Sequence, residues 1–94
     1  MKPYTEYQLE ESVVIRTFSV NIPDEELQWH WDEEDRIVEA INETDWMFQF
    51  DNCLPIKFNA PINIKAGAIH RVIKGTGPLT VKIKHNDIHN NTST

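Results

Sequence analysis

Ile62-Asn63-Ile64-Lys65-Ala66-Gly67-Ala68-Ile69-His70-Arg71-Val72-Ile73 is the stretch on which the fold turns. Ile62 and Ile64 share one face of a strand, since side chains two apart point the same way. Ala66-Gly67 then breaks the run at a turn where glycine is free to take a positive φ. Ile69 to Ile73 resumes as a second strand and carries a histidine, His70.

The period of two extends in both directions. Val13 to Val20 is β-branched and aromatic. Ile22-Pro23-Asp24-Glu25-Glu26 interrupts it, with Asp24 placed to cap one short turn. Leu27, Trp29 and Trp31 alternate with Gln28, His30 and Asp32, and Ile37, Glu39 and Ile41 with Val38 and Ala40. Trp46, Phe48 and Phe50 fall on one face, and Met47 and Gln49 on the other. Leu54 to Phe58 contains Pro55 and reads as a short edge strand. Lys74-Gly75-Thr76-Gly77-Pro78 is a turn, and Leu79, Val81 and Ile83 alternate with Thr80, Lys82 and Lys84. Seven or eight short strands with no long helix predict an all-β sandwich or closed barrel. Residues 1–12 read as an arm or edge strand, 13–84 as the domain, and 85–94, including His85 and His89, as a fraying tail.

Ninety-four residues make one domain with a modest core. Hydrophobic residues at 39% and charged residues at 26% describe a globular chain. Nine basic residues are dispersed among fifteen acids, giving a net charge of −6. That balance argues against nucleic-acid binding, which draws on basic patches. The single cysteine, Cys53, rules out an internal disulfide and is expected to pack at least partly inside. No apolar run resembles a signal peptide or approaches a membrane span. The expected location is the cytoplasm.

His30 and Asp32, two apart on a strand, project together with Gln28 beside them. With His70 they would form a 2-His-1-carboxylate set, which holds Fe(II) and suits Mn, Ni or Zn as well. The bland alternative puts His30 and Asp32 at a solvated strand end, with Asp32 paired to Arg36 or Arg71, and His70 packed inside the barrel mouth. Arg36 and Arg71 present guanidinium forks suited to an anionic ligand. Asp24-Glu25-Glu26 and Glu33-Glu34-Asp35 read as solvated loops.

The Ile62–Val72 segment resembles the second cupin motif, in which an Ala-Gly or Pro-Gly turn precedes an inward histidine. The segment around His30 resembles the first cupin motif, H-x-H followed by a glutamate. Asp32 and His70 stand 38 positions apart, which suits a minimal cupin. More narrowly, WHWDEEDR, DWMFQFDNCLPIKF and AGAIHRVIKGTGPLTVKI resemble short cupin-like proteins of bacteriophage genomes. The departures are Asp32 in place of the second histidine, and Arg36 and Ile37 where the glutamate should fall. The resemblance therefore implies a single-domain, jelly-roll-like small barrel with a three-ligand site at most.

Two functions follow from that resemblance. One is a protein binding a small anionic molecule at the barrel mouth through Arg36, Gln49 and Arg71, conceivably a host metabolite or signal. The other is a small metal-dependent enzyme, dioxygenase- or isomerase-like, with Fe, Mn, Ni or Zn at His30, Asp32 and His70. If those three face inward, Trp29 and Trp31 face outward. Two indoles in water form a patch that monomers avoid, so either the N-terminal arm or a second subunit should cover them. Cupins commonly pair through strands of this kind, and the resemblance therefore implies a homodimer through Trp29 and Trp31. A third reading makes that dimer, as a structural or interaction module, the whole function.

Overall fold

The computed structural model describes residues 4–86. Eight strands form two antiparallel sheets. The larger sheet has the order β1-β2-β8-β3-β6, built from β1 (Tyr4–Glu10), β2 (Val13–Phe18), β3 (Asp35–Ala40), β6 (Ile62–Ile64) and β8 (Leu79–Asn86). The smaller has the order β5-β4-β7, built from β4 (Met47–Phe50), β5 (Ile56–Lys57) and β7 (His70–Ile73). No α-helix is present among the described residues.

Register explains the core. Phe18 pairs with Leu79, Arg16 with Val81 and Val14 with Ile83. Val38 pairs with Ile83 and Ile62, so alternate residues of four strands share one inward face. Phe48, paired with Val72, meets that face from the smaller sheet. Trp46, Phe48 and Leu79 are almost fully buried where the layers meet. The indole N–H of Trp46 donates to the Gly77 carbonyl, which satisfies the polar atom of an otherwise apolar ring.

Four expectations change. Leu27 to Trp31 is not a strand: a single bridge at His30 is its only pairing. The 3-10 turn Asp24–Glu26 redirects the chain just before it. Asp24 does not cap that turn; Pro23 holds the cap position without a side-chain bond. Cys53 is exposed, at a turn beside Asn52, whose φ is +61°. His85 belongs to β8 and not to a tail, and its backbone N–H donates to Ser12. His89 lies outside the described residues. Gly67 takes φ +82°, as the turn reading requires.

Candidate functional site

Four bonds stitch the irregular strap at residues 27–34 and the start of β3 to the Ala66–His70 segment that leads into β7. His30 and His70 exchange both backbone N–H···O bonds, at 3.0 and 2.9 Å. Gly67 N–H donates to the Asp32 carbonyl at 2.8 Å. Ala66 N–H donates to the Asp35 carboxylate at 2.8 Å, at the start of β3. The Ala66-Gly67 turn therefore sets the position of Asp32 by backbone contact, and the bridge aligns the two imidazoles.

His30, Asp32 and His70 each offer one ligand atom, and these atoms lie within 4.8 Å of one another. The ring centroids of His30 and His70 are 4.3 Å apart. His70 is buried and stacks on Phe48, with centroids 5.4 Å apart and planes 19° from parallel. His30 is exposed.

The tautomers follow from the partners. His30 Nδ1 is 3.0 Å from the Gln28 carbonyl, and His70 Nδ1 is 2.8 Å from the Ala68 carbonyl. A carbonyl only accepts, so each Nδ1 carries the proton. In the neutral ring Nε2 is then a bare lone pair. Carbonyl-held imidazoles are the usual way that metal-binding histidines are oriented.

His70 Nε2 sits 3.3 Å from Asp32 Oδ2. That approach is ionic attraction if the ring is protonated, but Oδ2 is buried and makes no hydrogen bond. With the His70 ring neutral a lone pair would face that carboxylate oxygen, and with it protonated the two form an ion pair. Two ligands on one metal at ~2.1 Å bonds are about 3.0–3.4 Å apart for right-angled to tetrahedral arrangements. The 3.3 Å separation falls in that interval, so this pair is spaced as two ligands of one divalent transition ion would be, and the third donor, on His30, is of a type that suits the same ion.

Asp32 is ionised ready for that role. Burial by itself raises its pKa, but interaction with His70 and the charges of Arg36, His70 and His30 outweigh it and hold the carboxyl below its usual range. Arg36 lies 3.3 Å from Asp32 Oδ1 and 3.4 Å from Glu34. Its Nε is buried without an acceptor. His85 Nδ1 completes the chain at 2.7 Å from Glu34. Glu34 and His85 were read from sequence as loop and tail. Only the pairing of β8 with β3, a long-range contact, brings His85 opposite Arg36.

Between the sheets lies a cavity of 360 Å³. His30, Asp32, His70 and Arg36 form one wall, while Phe48, Phe58, Ile64 and Val72 contribute to an apolar lining. Gln49 and Arg71 are not among the lining residues. They pair across β4 and β7, with Arg71 Nε donating to Gln49 Oε1 at 2.9 Å, on the opposite face from His70. Arg71 lies over the Trp29 ring, 4.4 Å from its centroid. The sequence thus predicts a clamp of three residues, of which the structure brings only Arg36 to the cavity. Strand alternation was sufficient to foresee this, since Arg71 adjoins the inward His70.

No family model and no curated protein matches the sequence. Solved structures match the fold. Over 92% of this chain it superposes on DMSP lyase DddQ from Ruegeria pomeroyi DSS-3, with TM-score 0.63 and 12% identity. Over 88% it superposes on Fe(II) HppE, with TM-score 0.60 and 9% identity. Over 89% it superposes on a cupin domain from Bordetella pertussis Tohama I, with TM-score 0.55 and 15% identity. It spans 37% and 48% of the length of two matched DMSP lyase chains, 56% of HppE and 92% of the Bordetella domain. The architecture shared by all of these, and by this chain, is the cupin fold.

Proposed function

We propose that the chain binds a divalent transition metal at His30, Asp32 and His70 and holds a small anionic ligand in the adjoining cavity. The observation that carries this reading is the convergence of one ligand atom each from His30, Asp32 and His70, with Asp32 Oδ2 buried and without a hydrogen bond. Bound there, Fe, Mn, Ni or Zn supplies a Lewis acid with coordination positions left over for a ligand.

The rest is the work of the chain. The Gln28 and Ala68 carbonyls fix the two rings. Arg36 orients Asp32 through Oδ1, leaving Oδ2 for the ion. Arg36 also gives the site its positive edge for an anion. Arg71 and Gln49 act one layer back, bracing Trp29 and through it the strap that carries His30. Catalysis of the dioxygenase or isomerase type is the second reading, favoured by a three-residue set that leaves positions open. Holding a host metabolite or signal, as a phage accessory protein would, is compatible with the first.

Elemental analysis of protein purified without chelator tests the metal site. One transition metal per chain is expected, and its loss in His70→Ala. Retention of the metal in that variant removes the site.

Trp29 and Trp31 are 41% and 59% exposed, and Ile69, next in sequence to the His70 that bridges to His30, is exposed as well. These side chains support a homodimer through this face. Sedimentation should then show a dimer that Trp31→Ser converts to monomer. A wild type that stays monomeric at high concentration rules the dimer out.

A further inference from the structure

The cavity wall carries information about what the site would take, and the inference drawn from it rests on the metal reading above. Near position 36, where the cupin pattern puts an acidic ligand, this chain has Arg36. The change removes one negative charge and adds one positive. Two neutral imidazoles, Asp32, Arg36 and a divalent ion sum to two positive charges, and the part-buried Glu34 lowers that to one. One monoanion neutralises the centre.

The lining excludes more highly charged ligands. Its other arginine, Arg16, is engaged by Glu6 at 2.8 and 2.7 Å and lies 3.8 Å from the centroid of the Tyr4 ring. The exposed Glu26 also lines the cavity and repels a second negative charge. Arg36 remains, with a buried Nε that has no acceptor.

Most of the remaining lining is hydrocarbon, including Phe48, Phe58, Ile64, Val72, Val81 and Ile83, with Tyr4 and Gln28 as further polar side chains. A sugar or nucleotide would leave its hydroxyls unpaired there, at the cost attached to any buried polar group without a partner. The volume of 360 Å³ corresponds to roughly a dozen waters at about 30 Å³ each, enough for one ring or a short branched chain.

We infer that the ligand of this site is a small monocarboxylic acid with an apolar body of about ten non-hydrogen atoms. Its carboxylate would sit beside Arg36 and the His30–Asp32–His70 ion, and its body against the Phe48–Phe58–Val72 wall. Because the ion supplies most of the positive charge, carboxylate and metal each bind more tightly in the presence of the other.

The test uses Co(II) as a spectroscopic stand-in for the native ion. The full chain is loaded with Co(II), and its visible spectrum and melting temperature are followed. The titrants are acetate, butanoate, hexanoate, 3-phenylpropanoate, 3-phenylpropanamide and glucose 6-phosphate. Expected are a carboxylate-dependent change in the cobalt bands and an affinity that rises about fourfold per buried methylene. The phenylpropanoate should bind at least tenfold tighter than its amide, and glucose 6-phosphate should not compete. In Arg36→Lys, which keeps the charge but not the fork, carboxylate affinity for the cobalt-loaded fraction should fall.

Equal binding of acid and amide, preference for the sugar phosphate, or an affinity independent of chain length each overturns the inference while leaving the metal site standing. Failure to bind Co(II) at all overturns the metal reading and this inference together. The ligand series on the wild type decides the question even if Arg36→Lys does not fold.

Discussion

His70 and His30 offer the same atom to the same site from unlike supports. His70 stands on β7, four residues long and paired throughout with β4. It is buried and stacked on Phe48, itself part of the core. His30 stands on a strap with no ladder, held by one bridge and by the Gly67–Asp32 bond. One ligand is thus fixed by the fold and two are carried on a segment whose order depends on a few contacts. Such a segment opens more easily than the sheets. An ion that joins strap to strand should therefore stabilise the strap most, by binding only its closed form.

The largest effect expected from that contrast falls on the sheets. Leu79, fully buried where the layers meet, should cost about 2–5 kcal/mol of stability as Leu79→Ala, seen as a lower urea midpoint. Folded Leu79→Ala should still bind metal with wild-type stoichiometry, because its damage is remote from the strap. Loss of metal at full folding would show that sheets and strap are not separable.

Asp32→Asn reverses the pattern. It keeps the shape but removes the charge, and metal affinity by calorimetry should drop by at least about a hundredfold, at or beyond the upper range for loss of a supporting group. Unchanged affinity would take Asp32 out of the ligand set.

Gly67→Ala is intermediate. A Cβ there meets nothing within 4 Å, so the penalty comes from φ +82° alone, about 1–2 kcal/mol. Because Gly67 N–H holds Asp32, hydrogen exchange should quicken in the strap more than in β2 or β8. Uniform quickening would contradict the division between the two regions.

The smallest effect is on acid stability. Two carboxyls titrate below their usual range: Asp32, for the reasons given, and Asp45, which accepts the backbone N–H and the hydroxyl of Thr76. A depressed folded-state pKa adds stability above the unfolded value of about 3.9, and that increment disappears as pH falls through the folded values. The urea midpoint should therefore decline below about pH 4, and less steeply in Asp45→Asn. A midpoint that holds or rises on acidification would contradict both assignments.

Sequence carried the strands well wherever apolar and polar residues alternate against a single core. Leu79, Val81 and Ile83 show this, and so do Trp46 and Phe48. It misread Leu27–Trp31 because the same alternation arises when one residue, His30, pairs and its neighbours Trp29 and Trp31 lie outside. His30, Asp32 and His70 could be picked out as a group from same-side spacing and the Ala66-Gly67 turn, and the structure brings them together. The parts that escaped depend on long-range register: His85 on Glu34, Phe48 on His70, and Arg71 turned away onto Trp29. No local pattern encodes which strand lies next to which.

Metal binding here needs an Nε2 open to an ion on both His30 and His70, and nitrogen-15 NMR of the histidines reads that directly. At neutral pH in the metal-free protein, His30 and His70 should both show a proton on Nδ1 and a bare Nε2. One equivalent of Zn(II) should then shift the Nε2 of these two rings and leave His85 unmoved. Nε2-protonated rings that Zn(II) does not perturb, or a zinc response confined to His85, would contradict metal binding at these rings.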